Sequence, residues 1–179
     1  MKKILASMLF ISTFTFSQSL SEQLENDIDG LMTKVIEWRH HFHQYPELSN
    51  REFKTSAYIK NVLENLGLEV QSDIAITGLV AMIRGYQPGP LIALRADIDG
   101  LPVTEELGLP FSSKEKSVYQ GNEVGVMHAC GHDAHIAILL GVAEYLVKNT
   151  DKLKGDIMLI FQPAEESPPE GEEGGAYLM

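Results

Sequence analysis

The chain has one cysteine and one tryptophan among 179 residues, and only 14 lysines and arginines against 25 aspartates and glutamates. Each shortage removes a class of explanation. A single cysteine excludes an internal disulfide, so no covalent framework holds this fold. A formal net charge of −11 excludes the basic footprint that nucleic acids and anionic lipids require. No apolar run approaches the roughly 20 residues that span a bilayer. No internal repeat is present. The rest is ordinary: 44% hydrophobic and 22% charged residues suit a globular domain long enough to bury its own core.

The N-terminus has the pattern of an export signal. Lys2 and Lys3 precede an apolar run of about 13 residues, 4–16, too short to span a membrane. Thr15 and Ser17 have the −3 and −1 spacing of a cleavage site before Gln18. We therefore expect residues 1–17 to be a signal peptide and the mature chain to be periplasmic or secreted. No cysteine lies near that site, so no lipid anchor is expected. Outside the cell a lone thiol oxidises unless it is buried, paired between molecules or bound to a metal. The neighbours of Cys130 favour the metal.

Periodicity predicts the elements. Leu20, Leu24, Ile28, Leu31, Val35, Trp38 and Phe42 recur at helical spacing over residues 19–44, and Pro46 stops that helix. Ser49-Asn50-Arg51-Glu52 fits a capping box before a second helix with Phe53, Ala57, Val62, Leu63 and Leu66 inward and Gly67 at its end. Strands are expected at 68–71, 78–84 and 91–95, with a turn at Pro88-Gly89-Pro90, and a last strand at 156–161. Residues 100–125 read as loop. Asp133 is expected to cap a helix reaching Lys148, and another helix begins near Ala176. Apolar runs without alternation suggest strands covered on both faces. The fold class is therefore α/β, a three-layer α/β/α domain with a mixed, largely parallel sheet.

Three motifs carry chemistry: Arg95-Ala96-Asp97-Ile98-Asp99, His128-Ala129-Cys130-Gly131-His132-Asp133 and Pro163-Ala164-Glu165-Glu166. The first and third follow predicted strands, and α/β sheets bind ligands outside the carboxyl ends of their strands. Thiolate, imidazole and carboxylate are transition-metal ligands. Clustered carboxylates raise one another's pKa, a cost that a dication removes. Cys130, His132 and Glu166 are the candidate ligands, and adjacent Glu165 is the candidate general base. Asp97 and Asp99 fit strand-end turn residues equally well. His128 and His135 are expected to support ligands rather than to ligate. His40, His41 and His43 are expected on the surface. A rival reading makes Cys130 a nucleophile with His132 as its base, but leaves Glu165-Glu166 without a task. A third is a non-catalytic metal-binding piece.

The chain resembles the amidohydrolase branch of the aminoacylase-type dinuclear metallopeptidases. The matching stretches are residues 39–49 (RHHFHQYPELS), 77–80 (TGLV), 93–103 (ALRADIDGLPV), 127–135 (MHACGHDAH) and 161–179 (FQPAEESPPEGEEGGAYLM). The resemblance implies two divalent metal ions, zinc or manganese with nickel or cobalt as alternatives. It implies Cys130, His132 and Glu166 as metal ligands and Glu165 as the catalytic base. Asp99 matches an aspartate that supports the site in sister branches, while Asp97 stands where those branches carry a histidine ligand. The implied reaction is hydrolysis of N-acyl amino acids or small peptide-like conjugates, with Glu165 taking a proton from a metal-held water. Two further histidine ligands and a lid or dimerisation domain, with a homodimer possible through it, are expected beyond Met179. Residues 18–179 would then be the first part of the catalytic domain, with little activity alone.

Overall fold

The computed structural model describes the backbone from Lys2 to Met179 and the side chains from Glu22 onward. The expected signal at residues 1–17 and its cleavage before Gln18 lie outside the residues whose side chains are described. Two compact units divide the chain, Met1–Thr33 and Lys34–Met179. The first is helical, part of α1 (Lys2–Gln44), and its Leu24, Ile28 and Met32 are exposed. The helical spacing is therefore real there without burying those side chains. No helix among the described residues is long and apolar enough to cross a membrane.

The second unit holds the end of α1, then α2 (Phe53–Asn65), β1 (Val70–Ile74), β2 (Gly78–Ile83), β3 (Gln87–Asp97), β4 (Lys116–Tyr119), β5 (Asn122–Gly125), α3 (His132–Lys148), β6 (Lys154–Gln162) and α4 (Gly175–Leu178). α2 stops as expected. Gly67 takes φ +84°, its N–H reaches the Glu64 carbonyl and that of Leu68 reaches Leu63. This double bond satisfies carbonyls that a helix end leaves open, and glycine adopts the left-handed turn at little cost.

The sheet order is β1-β2-β6-β3. It is mixed, as expected, but the parallel share is the single pair β3–β6; β1–β2 and β2–β6 are antiparallel. Leu79, Ala81 and Ile83 of β2 and Ile157, Leu159 and Phe161 of β6 turn to one face, as alternation in a strand requires. There they join Ile59 and Leu63 of α2, Ile136 and Leu140 of α3, and Trp38 and Phe42 of α1 in one core. On the other face Val80, Met82, Met158 and Ile160 are only half-buried. Among the described residues the helices therefore cover one face of the sheet, in keeping with the expected α/β class and mixed sheet.

Two local expectations change. β3 starts at Gln87 and runs through Pro88-Gly89-Pro90, where a turn was expected. It is the edge strand, where proline's missing N–H costs no ladder bond. The loop at 100–125 contains the antiparallel hairpin β4–β5. Its two-residue turn places Gln120 at φ +50° and Gly121 at φ +79°, the pair of positive angles that matches strand twist in tight hairpins.

Candidate metal centre

The one parallel pair builds the rim of the site. β3 and β6 run side by side with Asp97 opposite Gln162, so their carboxyl ends emerge together. The Ile98 N–H still donates to the Gln162 carbonyl, 3.0 Å away. Asp97 and Asp99 thus leave one strand beside the turn that carries Glu165 and Glu166 from the other.

Asp99 is buried and held from several sides. Its Oδ2 accepts from the Ser49 hydroxyl at 2.6 Å and from the Glu166 N–H at 2.9 Å. Its backbone carbonyl lies 2.9 Å from His132 Nδ1, and its Oδ1 lies 3.4 Å from the same nitrogen. Burial pushes the Asp99 pKa up, but donation from His132, Ser49 and the Glu166 and Glu165 amides outweighs it and holds the carboxyl below its ordinary value. Asp97, also buried, meets Arg95 Nη2 at 3.2 Å through Oδ2, while its Oδ1 has no hydrogen-bond partner.

α3 begins directly after Gly131, whose φ of +120° favours glycine. Asp133 was expected as the cap. It lies inside the first turn and makes no cap bond; its carboxylate instead accepts from Arg39 Nε at 3.2 Å and meets His43 Nδ1 at 2.9 Å. His43, expected on the surface, is accordingly buried. The turn at Gly131 leaves Cys130 exposed and His132 buried.

The proton on His132 is fixed by its surroundings. Nδ1 donates to the Asp99 carbonyl, so Nε2 is the nitrogen turned to the cluster and the one a metal would take in place of its proton, the usual orientation of a metal-binding imidazole. That nitrogen lies 3.7 Å from Glu165 Oε2 and 3.8 Å from Glu166 Oε1. Burial lowers the pKa of His132, but the bonds to Asp99 and the charges of Asp99 and Asp97 prevail and push it up to about 9. The Cys130 thiol is raised too, first by its hydrogen bond with Glu166, then by burial and by the charges of Glu166, Glu165 and Asp97.

Donor atoms of Cys130, His132 and Glu166 all lie within 4.8 Å of one another. The buried Oε1 of Glu166 has no hydrogen-bond partner. A soft thiol, an imidazole and a carboxylate converge there, with an unpartnered buried carboxylate oxygen among them, so the residues fit a divalent metal. A second group, Asp97, His132 and His135, meets the same distance limit. His135 was expected behind the ligands, yet it stands within reach of Asp97. Helical spacing from His132 to His135 was the signal in the sequence. His128 is buried with neither ring nitrogen partnered, and burial drives its pKa down to about 4, against the opposing charge of Asp133.

The model of Peptidase family M20/M25/M40 matches residues 93–179, from β3 through the Glu165-Glu166 turn. Those residues are a Peptidase M20 domain segment. Thermostable carboxypeptidase 1 of Saccharolobus solfataricus is 49% identical to this chain over 161 residues, covering 89% of the chain and 38% of the relative. N-acetyl-L-cysteine deacetylase of Bacillus subtilis is 50% identical over 141 residues, covering 79% and 32%. Among solved structures, a dinuclear metal binding peptidase from the M20 family of Bacillus subtilis superposes with TM-score 0.68 at 42% identity, over 76% of this chain and 36% of that one. The chain thus spans about two-fifths or less of the relatives named here.

Proposed function

We propose that this chain carries part of a metal-dependent amidohydrolase acting on N-acyl amino acids or small peptide-like conjugates. The observation that carries the reading is the convergence of Cys130, His132 and Glu166 beside the more exposed Glu165. The amidohydrolase resemblance and the deacetylase relative agree with that chemistry.

Cys130 would hold the metal as thiolate, His132 through Nε2 and Glu166 through a carboxylate oxygen. A divalent ion bound there supplies Lewis acidity and lowers the pKa of water. The dinuclear neighbour supports two such ions, and the thiolate favours zinc over manganese. Asp99 keeps His132 in the tautomer that frees Nε2. Glu165, whose side chain is 42% exposed against 17% for Glu166, faces the open side of the cluster as general base. It takes a proton from the water that attacks the amide carbonyl carbon. It then gives that proton to the nitrogen as the C–N bond breaks, leaving a carboxylic acid and a free amine. A Cys130 nucleophile with His132 as its base would leave the Glu165-Glu166 pair beside it without a task, which argues against that reading.

The test uses the longer protein that contains this segment. Hydrolysis of N-acetyl amino acids should stop with a chelator and return with zinc or manganese. Glu165→Gln should lower kcat by at least about 10²-fold while metal content is unchanged. Turnover that survives the chelator but stops on thiol alkylation would instead establish the Cys130 nucleophile.

A further inference from the structure

The sequence marks Ser49-Asn50-Arg51-Glu52 as a capping box, but Glu52, the residue before α2, makes no side-chain cap bond; Glu47 Oε2 accepts from the Lys54 and Thr55 N–H groups of the first turn instead. All four side chains instead reach the residues that follow β6. Ser49 Oγ accepts from the Ser167 N–H at 3.0 Å while donating to Asp99. Asn50 Nδ2 donates to Glu172 Oε2 and to the Glu173 carbonyl, both at 3.1 Å. Arg51 pairs with the Glu172 carboxylate through both terminal nitrogens. Glu52, fully buried, accepts from the Ala164 N–H at 2.8 Å through Oε1 and from the Thr77 hydroxyl at 2.6 Å through Oε2.

Ala164 is the residue before Glu165, and its φ is +47°. A non-glycine residue in the left-handed region persists only where its surroundings hold it. Here both sides of it are held: Glu52 takes its N–H, and the Gly175 N–H donates to its carbonyl at 3.1 Å. A buried carboxylate is costly to keep, and burial raises the Glu52 pKa to about 7 despite its hydrogen bonds. A capping role would not require it to be buried.

We propose that residues 49–52 are a clamp on the loop of Glu165 and Glu166, and that Glu52 is a positioning residue which fixes the Ala164 turn and so brings Glu166 to Cys130 and His132. This rests on the metal-binding reading above. Glu52 touches neither metal nor substrate.

Zinc affinity of the chain, read by competition with a chromophoric chelator, tests the clamp. Thermal midpoint is measured alongside in chelator. Glu52→Leu fills similar space and cannot accept a hydrogen bond. It should weaken zinc binding by about 10–100-fold, the range for residues that orient ligands, with the metal-free thermal midpoint kept. Glu52→Gln can still accept from Ala164 and donate to Thr77, so it should bind within about threefold of wild type. Equal affinity in wild type and Glu52→Leu would overturn the clamp. So would equal losses in Glu52→Gln and Glu52→Leu. If Glu52→Leu does not fold, Ser49→Ala takes its place: weaker zinc binding at unchanged midpoint supports the clamp, and wild-type affinity overturns it. Failure of the wild-type chain to bind zinc would instead remove the metal site itself, and the clamp with it.

Discussion

Glu52 illustrates what a residue can and cannot announce. Three positions after Ser49, it satisfies the local rule for a capping box. That rule sees only neighbours, whereas Glu52 meets Ala164 at a separation of 112 residues and Ser49 meets Ser167 at 118. The ligand candidates were easier to read, because Cys130 and His132 lie two residues apart and their chemistry is carried by residue type. Burial of Glu52 has a consequence for stability. Its pKa rises from 4.5 to about 7, through burial first and with the charge of Asp99 adding to it. A carboxyl raised on folding contributes stability that is full below the unfolded pKa and is lost as pH rises through the folded one. Relative to wild type, Glu52→Gln should therefore become more stable between about pH 4.5 and 8, by on the order of 3 kcal/mol. Denaturant unfolding of both proteins in chelator would show it; a stability difference independent of pH would contradict it.

At the scale of elements, the strongly periodic segments were legible: α2, α3, β2 and β6 stand close to where apolar spacing placed them. The exceptions have physical causes. An edge position let β3 absorb two prolines, and the β4–β5 hairpin is four residues a side, too short for alternation to stand out. Asp133 has the chemistry of a capping residue but does not cap α3, because its carboxylate is taken by Arg39 and His43. The turn at Gly131 performs that start instead. A Cβ there would meet nothing within 4 Å, so Gly131→Ala brings only backbone strain at φ +120°. It should destabilise the chain by about 1–3 kcal/mol and weaken metal binding, although Cys130 and His132 are both intact. Thermal unfolding and zinc titration would check this; wild-type values in both would mean the turn does not set the site.

For the whole molecule, the decisive fact is the order of strands. Sequence could place Asp97-Ile98-Asp99 and Glu165-Glu166 after two strands, but not say that those strands are neighbours running the same way. Their parallel pairing brings motifs more than sixty residues apart to one rim. The clamp from residues 49–52 and the turn into α3 then close around it. On the reading proposed here, metal capture rests on Cys130, His132 and Glu166, all of them within this chain. X-ray absorption of the zinc-loaded chain tests that claim most directly. The account predicts one sulfur at about 2.3 Å with nitrogen and oxygen donors at about 2.0–2.2 Å, and loss of the sulfur in Cys130→Ser. A zinc shell without sulfur in the wild-type chain would contradict it.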